Sequence, residues 1–343
     1  MILARGVLMN PALITQVEAV PDELMRTMRA FQESRVLLTA LELDVFTALG
    51  SGATAPDVAK RLKTDPRATE MLLNALVSME LLSKSGGRFS NTPDTAKFFA
   101  AGSPHNARLA MMHTVHLWDT WSTLTDCVRA GTSVTRLEEP THGDDWTEAF
   151  IAAMHYLAPG TAPSVIEAVG LQGVRRMLDL GGGSGAYSIA FAQASPQLQI
   201  EILDLPDVLP LTERYVRQAG LSDRIKLRPG DLLHDIFSTG FDLVLLSAIC
   251  HSFSPEQNCD LFRRACQALV PGGRIVVREF ILDPDRTSPR WAALFSLNML
   301  VGTESGASYS EADYAAWLRE AGFTDVHRVN LPGPSGLMIG KRE

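Results

Sequence analysis

At 343 residues the chain is long enough for two domains, and 46% hydrophobic with 20% charged residues is an ordinary globular composition. A net charge of −8 without a dense Lys/Arg run argues against non-specific nucleic-acid binding, which needs clustered cations to displace counterions. The longest apolar stretches fall short of the ~18–20 residues of a membrane span. Met1 to Asn10, with only Arg5 and no small-residue cleavage pattern, does not read as a signal peptide. Cys127, Cys250, Cys259 and Cys266 contain no Cys-x-x-Cys pair, so reduced thiols and a cytoplasmic location are expected.

Residues 22–101 read as helical and then winged-helix-like. Val36, Leu37, Leu41, Leu43, Val45, Phe46 and Leu49 recur at helical spacing and stop at Gly50-Ser51-Gly52. Ala55-Pro56-Asp57 starts a second helix, with proline suited to its first turn. Asp65-Pro66 starts a third, through Leu72, Leu73, Leu76 and Met79. Leu81-Leu82, the Gly86-Gly87 turn and Phe89 to Pro93 predict a two-stranded wing. Winged helices also bind DNA, but the would-be reading helix, Arg67 to Glu80, carries Met, Leu, Ala and Val where base contacts need Arg, Asn or Gln. Its apolar surface and that of Val36–Leu49 predict burial against a second copy, hence a homodimer.

Residues 104–170 look all-helical. His113 and His116 lie one turn apart without an acidic or Cys partner, so no metal is expected. Trp146, Phe150 and Met154 are spaced by four and share a helix face. Such a stripe is core by default. Its place just before the glycine-rich strand makes Trp118, Phe150 and Met154, with Met299, candidate lining of a pocket for a flat apolar molecule.

From residue 176 strands and helices alternate. Strands are predicted at Met177–Leu180, Ile200–Leu203, Ile225–Leu227, Phe241–Leu246 and Arg274–Leu282, with helices near 185–194, 207–219 and 256–269. After a helix at 311–321, Val326–Val329 and Leu337–Gly340 are split by Pro332-Gly333-Pro334. The pattern implies a doubly wound α/β sheet closed by an antiparallel hairpin. Arg176 to Gly185 is a strand, a glycine turn and a helix start, the arrangement that lets backbone approach a nucleotide-like ligand. Asp179 two residues before the first glycine, and glycines at 181, 183 and 185, depart from a dinucleotide fingerprint. They look like the first motif of S-adenosylmethionine (SAM) dependent methyltransferases.

In such a sheet the ligand lies across the carboxyl ends of the strands. Asp204 ends the second strand, where a carboxylate can accept both ribose hydroxyls. Asp231, after the third, is placed to take an adenine amino group, with Leu232 packing on the ring. His251 follows the fourth strand, where it suits a general base. Glu279 interrupts the apolar run of the next strand. A buried carboxylate there is costly unless partnered, and the neighbouring imidazole is the obvious partner.

From about Glu23 to the C-terminus the chain resembles the plant-type small-molecule O-methyltransferases and their bacterial relatives. The matching segments are Leu178 to Gly185, Asp204 to Val208, Gly230-Asp231, Cys250-His251, Pro271-Gly272-Gly273 and Ala321-Gly322-Phe323. The resemblance implies a winged-helix dimerisation domain (22–101), then a helical linker and a Rossmann-like SAM-dependent methyltransferase domain (104–343). It also implies SAM contacts at Gly181, Asp204, Asp231 and Leu232, joined by Asp179 and Gly183 of the glycine turn, with S-adenosylhomocysteine (SAH) as product. His251 becomes the general base and Glu279 the glutamate that orients it.

Three positions depart from the family. His251-Ser252-Phe253 stands where His-Asp-Trp is common, and Ser247 replaces a frequent lysine. Ser308 aligns with a second glutamate, while Glu304 lies four residues upstream. Either Glu304 reaches the site through a rearranged loop or the set is only His251 and Glu279, and the second is favoured. The expected reaction is SN2 methyl transfer to a phenolic or enolic oxygen of a small-molecule acceptor. An ordinary imidazole (~6.5) is too weak a base to ionise a phenol (~10) outright, so proton removal is expected to accompany transfer. Alternatives are methylation at nitrogen or carbon, a SAM-bound relative without transfer, a SAM-sensing winged-helix regulator, and a nicotinamide dehydrogenase.

Overall fold

A computed structural model describes residues 19–135 and 144–343. Met1 to Asn10, read above against a signal peptide, lies outside the described residues. The chain divides into two compact units, one ending at Asn106 and the other beginning at Ala107.

In the first unit, α1 (Asp22–Glu42) and α2 (Val45–Leu49) share the periodic run predicted as one stretch. Asp44 separates them in the left-handed region at φ 58°, a conformation that Asp tolerates better than most residues. Then come β1 (Ala53–Thr54), α3 (Ala55–Leu62), α4 (Pro66–Ser78), β2 (Leu82–Ser85), β3 (Arg88–Asn91) and α5 (Pro93–Phe99). Thr54 and Asp57 form a capping box on α3, and the Asp65 side chain accepts from the Ala68 amide at the start of α4. The wing gains a strand absent from the sequence reading, because the two-residue β1 pairs with β3 to give the order β1-β3-β2.

The surface expected to meet a second copy is corrected in part. Leu38, Leu41, Val45, Phe46, Leu49, Leu73 and Leu76 are buried within the unit's own core. The exposed large apolar side chains are Val20 and Leu43 flanking α1, Leu24, Met28 and Phe31 on α1, and Met71 on α4, so only Leu43 and Met71 of the expected surface stay exposed.

The second unit opens with α6 (Arg108–Ser122), α7 (Leu124–Ala130), α8 (Asp144–Leu157) and α9 (Ala162–Val169). The chain then runs β4 (Arg176–Leu180), α10 (Ala186–Ala194), β5 (Gln199–Asp204), α11 (Leu209–Gln218), β6 (Ile225–Pro229), β7 (Phe241–Ser247), α12 (Pro255–Ala268) and β8 (Leu269–Glu279). It closes with α13 (Arg290–Gly302), α14 (Glu311–Glu320), β9 (Phe323–Asn330) and β10 (Gly336–Arg342). The sheet order is β6-β5-β4-β7-β8-β10-β9, with β10 antiparallel to both β8 and β9. From β4 the chain winds outward to β6, then crosses back to lay β7 on the other side of β4. That reversal is where doubly wound sheets open a ligand crevice.

Strand alternation assigns each residue a face. Leu178, Leu180, Val244, Leu246, Ile275 and Val277 pack with Leu261 and Phe262 of α12 and Tyr314 of α14. Met177, Leu243, Leu245 and Val276 pack with Val165 of α9, Phe191 of α10 and Val216 of α11. The strand predicted to reach Leu282 stops at Glu279, because its neighbours run out there. β7 ends opposite Arg278, and Glu279 meets the first residue of β10. Leu282 keeps a single bridge, to Ser310.

Candidate active site

The glycine turn after β4 is held from three sides. The Gly181 amide donates to the Leu203 carbonyl, the Gly183 amide donates to Asp204 Oδ2 at 2.7 Å, and Thr212 Oγ1 donates to the Gly183 carbonyl at 2.6 Å. Glycine is required at 181: φ is +70°, and a Cβ would lie 2.5 Å from Ile249 Cδ1 and 3.3 Å from Leu232 Cδ1. Alternation turns Asp179 to the α10 face, where Ser188 Oγ donates to its Oδ2 at 2.6 Å. On the outer side, His155 of α8 hydrogen-bonds Ser184 of the turn at 3.2 Å and stacks on Tyr215.

Asp204 is buried at the end of β5, and each of its oxygens accepts one backbone amide, from Gly183 and from Leu205. A carboxylate oxygen can accept more than one bond, so both remain able to receive vicinal hydroxyls. Burial pushes this carboxyl above its usual range, against the pull of the two amides. Leu232 is buried beside Gly181, whereas the neighbouring Asp231 side chain is partly exposed and accepts from the Leu233 amide. A buried acid, a close-approach glycine and apolar Leu232 and Ile249 suit a nucleoside with vicinal hydroxyls.

β8 delivers Glu279 under the loop that follows β7. Its carboxylate, 1% exposed, accepts His251 Nδ1–H at 2.8 Å through Oε2. Oε1 accepts the Ile249 amide at 2.8 Å and, more distantly, the His251 amide. Burial pushes the Glu279 carboxyl up, but His251, the Arg278 charge and the amide bonds outweigh it and leave the group below its usual value. An ionised acceptor fixes the tautomer: Nδ1 carries the proton and the Nε2 lone pair is free. No described residue bonds Nε2, and Phe295 of α13 packs edge-on against the ring at 4.8 Å.

Several supports were not singled out in the sequence. Asn258 Nδ2 donates to the carbonyls of Cys250, Phe253 and Ser254, and the Tyr309 hydroxyl donates to the Phe253 carbonyl. Asn258 is fully buried on the same α12 face as Leu261, Phe262 and Ala265. One polar residue in that apolar stripe was the available signal. Ser308 is buried with its hydroxyl donated to the Ala292 carbonyl, and Glu304 is exposed. Neither hydrogen-bonds the His251–Glu279 pair.

Of the pocket candidates, Phe150 stacks on Trp146 at 5.4 Å and meets His113 edge-on, while Met154 packs on the small Ala110, Ala152 and Ala153 cluster. Trp118 is half-buried and Met299 is buried. Asn298, beside Met299, accepts the Trp121 indole N–H at 2.8 Å and ties α13 to α6. Burial, aided by the His116 charge, pushes His113 down to about 4. Among the described residues no group of His, Cys, Asp and Glu side chains could hold a metal ion, and no helix is long and apolar enough to cross a membrane.

A family profile described as the O-methyltransferase domain matches residues 121–324, and one described as the O-methyltransferase dimerisation domain matches 25–101. The chain is 34% identical over 316 residues, 90% of its length and 91% of the relative's, to 3-hydroxy-5-methyl-1-naphthoate 3-O-methyltransferase of Streptomyces sahachiroi. It is 30% identical over 333 residues, 94% of its length and 97% of the relative's, to the tetracenomycin polyketide synthesis 8-O-methyl transferase TcmO of Streptomyces glaucescens. Among solved structures it is similar to PigF with SAH at a TM-score of 0.87 and 26% identity, covering 94% of this chain and 100% of that one.

Asp179 generates a pH prediction. Burial pushes its carboxyl up to about 7; the Ser188 bond opposes the rise and the Asp204 charge adds to it. A folded value above the ordinary ~3.9 favours the protonated form in the native state, so its contribution to stability is complete below about pH 4 and is lost as pH rises through about 7. The gap corresponds to a ceiling of roughly 4 kcal/mol. Ligand-free protein is expected to lose urea resistance between about pH 4 and about pH 7, and Asp179→Asn to flatten that slope. Equal slopes in the two proteins would contradict the assignment.

Proposed function

The chain belongs to the O-methyltransferase family and is a SAM-dependent enzyme; from that premise we propose that it methylates a phenolic or enolic hydroxyl of a small flat metabolite, with His251 taking the proton. The observation that carries this reading is the 2.8 Å bond between Glu279 and His251 Nδ1, which leaves Nε2 as the basic atom at the carboxyl edge of β7. Acceptors named for the curated relatives, a hydroxynaphthoate and a polyketide, support an aromatic acceptor.

Asp179, Gly181, Gly183, Asp204, Asp231 and Leu232 would hold the cofactor. Asp204 would take the ribose hydroxyls, Leu232 the adenine face, and Asp231 a polar edge of the base. When bound, SAM supplies the electrophile, a methyl carbon on a sulfonium. The chain's own residues position the acceptor oxygen and receive its proton. His251 Nε2 accepts that proton as the oxygen gains its methyl group, and the Glu279 carboxylate stabilises the resulting imidazolium. Trp118, Phe150, Met154 and Met299 are proposed to line the acceptor pocket, against which a planar ring would pack.

We also propose a homodimer through residues 22–101. Leu24, Met28 and Phe31, each more than half exposed, follow one another at spacings of four and three along one face of α1. Light scattering at micromolar concentration should give twice the monomer mass, and Met28→Glu should shift it toward the monomer. A monomeric wild-type protein would refute the proposal.

For the chemistry, His251→Ala should lower kcat by ~10²–10⁴ while SAH affinity, read by calorimetry, stays within about twofold of wild type. Near-normal turnover on a genuine acceptor would remove His251 from the reaction.

A further inference from the structure

We propose that Arg278 anchors an anionic group of the acceptor, so that the substrate class is a hydroxylated aromatic carboxylate. This rests on the reading of the site as an aryl O-methyltransferase centre and deepens it. Arg278 is the penultimate residue of β8, next to Glu279, and alternation sends the two side chains to opposite faces of the sheet. The Arg278 guanidinium lies over the Tyr187 ring of α10 at 5.3 Å and over the Phe280 ring at 6.0 Å. Phe280 in turn stacks at 6.3 Å from the His251 ring. A single aromatic ring therefore lies between a cation and the basic imidazole, both at the carboxyl end of the sheet.

The charge has no hydrogen-bonded anion. Arg278 Nε is buried without a partner, and no ion pair or hydrogen bond among the described residues uses its guanidinium. Other partly buried arginines of this unit are engaged. Arg224 and Arg274 donate to backbone carbonyls, Arg228 donates to Ser238, and Arg264 is bonded to Asp260. The register partners of Arg278, Ser247 on β7 and Leu337 on β10, cannot neutralise it. Glu279 lies close enough to feel the charge, but its oxygens are committed to His251 and to backbone amides.

A half-buried guanidinium flanked by two rings costs desolvation without an ionic return unless a ligand supplies it. The planar fork matches a carboxylate bidentately, and the flanking rings hold it pre-organised. An aromatic acid bound there would sit with its carboxylate at Arg278 and its ring toward Phe280, leaving a ring hydroxyl to face His251.

The test uses full-length protein loaded with SAH and a panel of hydroxybenzoic and hydroxynaphthoic acids, each paired with its methyl ester. Calorimetry should show acids bound roughly 10–100-fold more tightly than esters, the worth of a charge-assisted hydrogen-bonded pair. Arg278→Gln should abolish that preference while leaving ester and SAH affinities within about twofold, and Arg278→Lys should retain part of it. The anchor is overturned if the wild type does not prefer any acid over its ester, or if Arg278→Gln keeps the preference. Methyl transfer is followed separately with SAM. Arg278-dependent acid binding without methylation of any ring hydroxyl would sink the aryl O-methyl reading and leave the anchor standing, whereas methylation of ring hydroxyls with no acid preference in binding would do the reverse.

Discussion

A carboxylate buried to 1% exposure at the end of an inner strand of the sheet must find donors, and Glu279 finds them all in one loop. The Ile249 amide, the His251 amide and the His251 ring converge on it, so the chain leaving β7 has to curl over the end of β8. Asn258 then grips the same loop from α12 through three carbonyls, and Tyr309 takes a fourth bond to Phe253. What would be a mobile connection becomes a fixed platform. Its product is a histidine whose tautomer and ring direction are set before any ligand arrives, the kind of pre-organisation that makes a general base effective.

The cofactor side is built by the same logic with the opposite electrostatic outcome. Asp179 and Asp204 are buried like Glu279, but neither is paired with a cation, so burial dominates and both carboxyls are pushed up. Glu279 beside His251 and Arg278 is pushed down. The Ser188 hydroxyl and the Gly183 and Leu205 amides give the two buried aspartates their bonds. Acceptor oxygens at the glycine turn and a proton acceptor one strand away suit a reaction between a nucleoside-borne methyl donor and a hydroxyl. Ile249 joins the two halves physically, because its side chain touches Gly181 while its amide is bonded to Glu279.

Much of this was legible in the residues because the constraints are local and periodic. The glycine turn, the acids at successive strand ends and a charged residue inside an apolar strand each violate a pattern, and a violated pattern shows in one sequence. Strand ends were less legible: apart from Arg278-Glu279 the run after Arg274 stays apolar to Leu282, but a strand stops when its partners stop, as β8 does at Glu279. The same blindness misassigned much of the apolar face of the first unit. Periodicity marks Leu41, Phe46 and Leu76 as greasy without saying whether their own unit or another copy will cover them. Positioning residues such as Thr212, Ser188 and His155 sit on unremarkable helix positions. Their partners are 29, 9 and 29 residues away, distances at which sequence spacing carries no signal.

The central claim is that Glu279 and His251 act as one proton-accepting unit, and a double-mutant cycle on kcat tests it most directly. His251→Ala, Glu279→Gln and the double variant would be compared on one methylated acceptor with SAH affinity as the control for folding. The double variant is expected to turn over within about threefold of His251→Ala alone, because a carboxylate that works through the imidazole has nothing left to do once the ring is gone. Losses that multiply independently would contradict the account and leave Glu279 as scaffolding alone.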